Sequence, residues 1–181
     1  MRAPRTLVDA LTDERIVELE EWLEANTGPL CRRYGFAAVI ARWAEIYAEE
    51  CQEWDRITRE DRDDWERLMK GAPSGRRRPP TAEPHRMAAC LLAIIFEEYT
   101  GRLPGRRNTE DNPESSIFSA FAASCCRAIG LPEISTMTLR QACGEFKGTG
   151  DWGANFPALR ERLYGGLVPR TALDATRKRN R

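Results

Sequence analysis

The sequence predicts an all-α protein, an irregular bundle of six or seven helices. Apolar side chains recur at steps of three and four residues in one segment after another, which is the spacing of an amphipathic helix. No segment has the sustained apolar and polar alternation of a half-buried strand. With 181 residues, 41% of them hydrophobic, and five tryptophans, the chain is long enough to bury a shared core.

The first 70 residues predict three helices. Thr12 caps a helix over residues 13–26, whose apolar stripe consists of Ile16, Leu19, Trp22 and Leu23. A long amphipathic helix follows, with a stripe formed by Phe36, Ile40, Trp43, Tyr47, Cys51 and Trp54. Thr58 predicts the capped start of a third, highly charged helix that ends at Lys70.

A linker and a central helix are predicted in the middle of the chain. Residues 71–84 contain glycines and prolines around a triplet of arginines, a composition that cannot continue a helix. Pro84 suits the first turn of the next helix. Residues 87–99 are apolar on nearly every side until a pair of glutamates, so we expect this helix to be surrounded by others.

Two further helices are predicted between residues 115 and 146. Ser115 or Ser116 begins the first, and its inward side chains are Phe118, Phe121, Ala122, Cys125 and Ile129. Thr138 and Gln141 form a capping box for the second, a short helix that runs to Phe146.

The last predicted helix opens near Pro157 and ends at a pair of glycines, and a basic tail follows it. The predicted organisation is an acidic helical region at residues 1–70, a linker at 71–84, an apolar helical core region at 85–168 and a flexible basic tail at 169–181.

Charge is divided unevenly along the chain. Residues 1–70 hold 17 acidic and 11 basic side chains, whereas residues 71–181 hold 11 acidic and 17 basic ones. This division predicts either two faces with different partners or two halves that attract each other. The longest apolar run, residues 87–96, is too short to cross a bilayer, and no secretion signal is evident, so we expect a cytoplasmic protein.

The residue types that carry catalysis are sparse. His85 is the single histidine, and its position at a helix start predicts an exposed or capping residue. The six cysteines lack the paired spacing of zinc sites, so we expect buried thiols that pack as small hydrophobes. The sequence therefore predicts a non-enzymatic protein without a metal or a cofactor.

Residues 90–146 resemble small uncharacterised proteins encoded by bacterial phages and integrated elements. The resemblance depends on an apolar helix and then on Tyr99, Thr100, Gly101, Arg102, Pro104, Gly105, Phe118, Phe121, Ile129, Gly130, Leu131 and Pro132. It implies a mobile-element setting and assigns no catalytic or binding residue. It also implies a protein that acts by occupying another macromolecule, for instance a host defence complex.

The leading hypothesis is a helical interaction protein whose partner is a protein or a protein–nucleic acid complex. Its acidic helices carry tryptophans beside carboxylates, and tryptophan is favoured at the centres of interfaces. The same tryptophans could be core residues, which we favour for Trp43. The predicted partner-binding face consists of Glu60, Asp61, Asp63, Asp64 and Trp65.

The alternative hypothesis is a DNA-binding accessory factor. The region from residue 122 to 146 has the outline of a helix-turn-helix unit, in which Thr136, Thr138, Arg140 and Gln141 would face DNA. The basic tail would add phosphate contacts through Arg177, Lys178 and Arg179. Its side chains could equally be solvated charges with no partner.

Overall fold

The computed structural model describes residues 13–60, 83–105, 116–130, 133–146 and 156–169. These ranges contain six helices and no strand, which confirms the all-α class. The helices are α1 (Asp13–Thr27), α2 (Phe36–Glu60), α3 (Glu83–Thr100), α4 (Ile117–Ala128), α5 (Thr136–Phe146) and α6 (Phe156–Tyr164). Thr12, most of the predicted linker and most of the basic tail lie outside the described residues.

Helix α3 is the centre of the fold, as its all-round apolar sequence predicts. Every residue from 87 to 96 is 5% exposed or less. Helices α2, α4, α5 and α6 all pack against it, while α1 packs against α2 and α4. Pro84 lies in the first turn of α3, as predicted.

Helix α2 is longer than the sequence indicates. The predicted stripe is confirmed, because its first four members, Phe36, Ile40, Trp43 and Tyr47, are buried. However, the helix continues to Glu60, so Thr58 lies in its last turn and does not start a third helix. The interpretation of Thr58 as a cap was wrong because no glycine or proline interrupts the chain between Trp54 and Glu60.

The acidic and basic parts of the chain share one hydrophobic core. Side chains of α1 and α2 belong to the same buried cluster as those of α3 to α6. The guanidinium of Arg162 in α6 also lies 2.5 Å from the Glu50 carboxylate and 3.3 Å from that of Glu49, both in α2. The structure thus brings together the two halves whose opposite charges predicted attraction.

Two serines cap helices α4 and α5. Ser116 precedes α4, and its hydroxyl accepts a hydrogen bond from the Ser119 amide at 3.1 Å. Ser135 precedes α5 and accepts from the Thr138 amide at 3.2 Å. The capping box predicted at Thr138 was therefore wrong by one turn, since α5 already begins at Thr136 and Ser135 supplies the side-chain oxygen.

Replacing Gly130 by alanine should lower the free energy of unfolding by about 1–2 kcal/mol. Gly130 follows α4 with a φ of +70°, in the left-handed region that disfavours a Cβ atom. Nothing lies within 4 Å of an added Cβ, so only the backbone conformation opposes the substitution. Urea denaturation measures the loss, and an unchanged stability would contradict this explanation of the helix end.

Candidate interaction surface

A groove with a volume of about 430 Å³ lies between α1 and α4. Both helices supply its walls, and the side chains that line it are Arg15, Glu18, Leu19, Trp22, Ser124, Arg127 and Ala128. The groove is open to solvent along the surface. Its size is within the range of clefts that hold a ligand or a few side chains of a partner.

The floor of the groove is apolar. Leu19 and Ala128 are buried, and Trp22 is half-buried and packs against the hydrophobic core. Helical spacing explains this position, because Trp22 lies beside the buried stripe of α1 rather than at its centre. Part of the Trp22 side chain is consequently accessible to solvent, and the residue lines the groove.

Guanidinium groups stand on both walls. Arg15 of α1 donates from Nη1 to the carbonyl oxygen of Ala128 at 3.3 Å, which satisfies a backbone acceptor at the end of α4. Arg127 of α4 donates from Nη2 to Oγ of Ser124 at 3.1 Å. Two positively charged side chains therefore line the groove together with its apolar residues.

A stripe of carboxylates, the α1 acidic stripe, follows the solvent side of the same helix. It consists of Glu14, Glu18 and Glu21, which are exposed and spaced at i, i+4 and i+7. Glu20 and Glu24 of the same helix form ion pairs with Arg32, at 3.0 and 2.7 Å. Val17, 50% exposed, adjoins the stripe. Helix α1 thus presents a groove and a negative surface next to each other.

The side chains that line this groove carry guanidinium, carboxylate, hydroxyl and apolar groups. Neither cysteine nor histidine lines it. Within the described residues, no group of three or more His, Cys, Asp and Glu side chains is close enough to hold a metal ion. No helix among them has the length and apolarity needed to cross a bilayer.

Comparison of the chain with protein-family models, with curated proteins and with solved structures gives no match.

The acidic face predicted from the sequence falls almost entirely outside the described residues. Glu60 is the last residue of α2, and its side chain is not among those described. Asp61, Asp63, Asp64 and Trp65 also lie outside the described ranges. The hypothesis that these five residues bind a partner therefore remains a prediction.

The residues predicted to face DNA are divided by the structure. Thr136, Arg140 and Gln141 are exposed on one face of α5, next to Met137, which is 66% exposed. Thr138 is only 3% exposed, and its hydroxyl lies 2.8 Å from that of Ser135. Thr138 is therefore turned into the protein and does not face DNA, which corrects the prediction.

The tail residues Arg177, Lys178 and Arg179 lie outside the described ranges. The helices of the proposed helix-turn-helix unit pack mainly on other elements. Helix α5 packs chiefly against α3, whereas α4 packs against α1 and α3. Each helix is thus positioned by the central helix, and the outline seen in the sequence does not correspond to a tightly packed helix pair.

His85 is half-buried, contrary to the exposed or capping position predicted for it. Its ring meets the edge of Tyr47, with the two centroids 5.6 Å apart. The Nδ1 atom is buried and has no hydrogen-bond partner among the described residues. Burial lowers the pKa of His85, because the charged imidazolium loses hydration without gaining an acceptor.

Stability should fall as the pH drops from about 7.5 to 5.5, through the ordinary histidine range. Because the folded-state pKa is lowered, the unfolded chain takes up the proton first, and acid favours unfolding. The free energy of unfolding is measured with urea at several pH values. His85→Phe, which keeps an aromatic ring beside Tyr47, should remove most of the dependence of the unfolding free energy on pH. An equal pH dependence in both proteins would show that other titratable groups cause it.

The cysteines behave largely as predicted. Cys90, Cys125, Cys126 and Cys143 are buried, and burial raises the pKa of Cys90 to about 12. The Cys90 thiol therefore remains protonated, and the four buried cysteines pack as small apolar side chains. Cys31 is exposed and Cys51 is half-buried, so the prediction of burial does not extend to these two residues.

Sequence reasoning missed the groove and its arginines. Arg15 and Arg127 are far apart in the chain and belong to no motif, so no pattern in the sequence selects them. Trp22 was assigned to the buried stripe as a whole. Trp22 lies at the margin of that stripe, one helical turn after Glu18 and two turns after Arg15. This position was the available signal that Trp22 lines a surface groove together with those two residues.

Proposed function

We propose that this protein is a non-enzymatic helical interaction protein that acts by binding a macromolecular partner through α1. The observation that carries the proposal is the juxtaposition, on one helix, of the groove and the α1 acidic stripe. Interfaces combine a desolvated apolar centre with a charged rim, and tryptophan and arginine are enriched among the residues that dominate binding.

Protein rather than nucleic acid is the favoured partner for this surface. Glu14, Glu18 and Glu21 would repel a phosphate backbone, whereas they complement a basic surface of another protein. A protein surface that itself binds nucleic acid is basic. Blocking such a surface in a host defence complex is the finer form of the proposal, and the mobile-element resemblance supports it.

Affinity capture tests the proposal. The tagged full chain is incubated with a lysate of the source organism, with and without nuclease, and retained proteins are identified by mass spectrometry. We expect a partner that survives nuclease treatment and is lost when Glu14, Glu18 and Glu21 are all replaced by lysine. Replacing Glu45, Glu53 and Asp55, three exposed side chains of α2, by lysine provides a control for a change in net charge. Equal capture by both charge-reversed proteins would refute a role of α1.

DNA binding is the second candidate, and the exposed face of α5 favours it. Arg140, Gln141 and Thr136 share that face with Met137, and arginine and glutamine are common in contacts with base edges. The proposal predicts that the protein shifts duplex DNA at low salt and that Arg140→Glu weakens the shift. Absence of any shift at 50 mM salt, where phosphate contacts are strong, would eliminate it.

A further inference from the structure

We propose that the groove between α1 and α4 binds an amphipathic segment of a partner protein, which places a carboxylate between Arg15 and Arg127 and an apolar side chain on Trp22. This inference rests on the proposed function and adds the chemistry of the partner. It also assigns a specific role to three residues that sequence reasoning did not select.

The two arginines make the groove selective for an acidic side chain. They lie on opposite walls of the groove, and each guanidinium donates a hydrogen bond within the protein, Arg15 to the Ala128 carbonyl and Arg127 to the Ser124 hydroxyl. A carboxylate accepts charge-assisted hydrogen bonds from guanidinium groups in a well-defined geometry.

The floor of the groove selects an apolar neighbour for that carboxylate. Leu19 and Ala128 form a buried base, and Trp22 offers the accessible part of its indole ring. An aliphatic or aromatic side chain placed there would remove apolar area from water on both molecules. A half-buried tryptophan flanked by arginines resembles the anchor sites that dominate interface energetics.

The surroundings of the groove favour a peptide over a polyanion. Glu18 lies in the groove itself, and Glu14 and Glu21 continue the α1 acidic stripe beside it. The three carboxylates span roughly 10 Å along the helix axis, from the rise per residue. A phosphate chain would meet repulsion over this distance. A helical peptide with basic residues one or two turns from its acidic residue would complement both the arginines and the stripe.

A displayed library of random 16-residue peptides is the probe for this inference. It is selected on the wild-type chain, and bound peptides are then measured by fluorescence anisotropy. We expect enrichment of peptides with an Asp or Glu next to an apolar residue and with flanking Lys or Arg. Arg127→Glu should weaken their binding about 10- to 100-fold, as expected for a lost charge-assisted hydrogen bond. Arg56→Glu, a charge reversal at an exposed position of α2 that does not line the groove, should leave peptide affinity within about twofold of the wild-type value.

Charge exchange makes the test independent of a general loss of structure. A peptide whose acidic residue is replaced by lysine should bind the Arg127→Glu protein better than the wild-type protein. Equal binding of the selected peptides to the wild-type and Arg127→Glu proteins would overturn the inference. Enrichment of purely basic peptides, or displacement of the selected peptides by duplex DNA, would overturn it as well. If no peptide is enriched while the lysate experiment still captures a protein through α1, this inference fails and the proposed function stands.

Discussion

Trp43→Ala should lower the free energy of unfolding by about 3–5 kcal/mol, the usual range for removing a buried tryptophan. Trp43 is completely buried in α2. Its indole Nε1 donates to the carbonyl oxygen of Ala88 in α3 at 3.2 Å, and its ring stacks on Tyr47 with centroids 6.1 Å apart. The substitution therefore creates a cavity between α2 and the central helix.

Urea denaturation followed by circular dichroism measures this effect. Trp54 lies on the same helix but is only half-buried, so Trp54→Ala is the matched control. It should lower the free energy of unfolding clearly less than Trp43→Ala does. Because the acidic and basic halves share one core, we expect a single transition in both variants. A loss below about 1 kcal/mol for Trp43→Ala, or separate unfolding of α1 and α2, would contradict the shared core.

Glu145→Ala should lower the free energy of unfolding by about 3 kcal/mol, at the lower end of the range for breaking a buried ion pair. Glu145 of α5 is 4% exposed and accepts a hydrogen bond from Nη2 of Arg86 in α3. The Arg86 side chain is 23% exposed, so hydration of its guanidinium compensates for part of the lost stability. The substitution leaves a largely buried guanidinium without its carboxylate in the contact between α5 and α3.

A double-mutant cycle that compares Arg86→Leu, Glu145→Leu and their combination with the wild-type protein separates the ion pair from its surroundings. Arg86→Leu combined with Glu145→Leu should regain much of the lost stability, because two apolar side chains leave no unpaired charge. If Glu145→Ala and the double variant are equally unstable, packing of the glutamate stem would account for the effect and the ion pair would not.

The fold could be predicted from the sequence wherever the apolar pattern was strong. The all-round apolar segment of α3 has one stable environment, the centre of the bundle, and the stripe of α2 has one buried side. Helix boundaries were less certain, because caps compete. Thr58, Thr138 and Ser135 are all acceptable capping residues, and the packing of the complete helix decides which one is used.

The candidate site was much harder to predict. Arg15 and Arg127 become neighbours of one groove only when α1 packs on α4, and no local rule relates residues 112 positions apart. The ion pair between Arg86 and Glu145 was missed for the same reason. Ion pairs cross between the two parts of the chain in both senses, since Arg162 contacts Glu49 and Glu50 while Arg33 lies 4.0 Å from Glu98, so the division of charge does not by itself predict which side chains pair.

Site-specific photocrosslinking tests the central claim, that α1 is the binding surface, most directly. A photoreactive phenylalanine analogue is placed at Val17 beside the α1 acidic stripe or at Met137 on α5, two exposed apolar positions. We expect a protein adduct from position 17 that resists nuclease, and no comparable adduct from position 137. An adduct formed only from position 137, or one that consists of nucleic acid, would contradict the account.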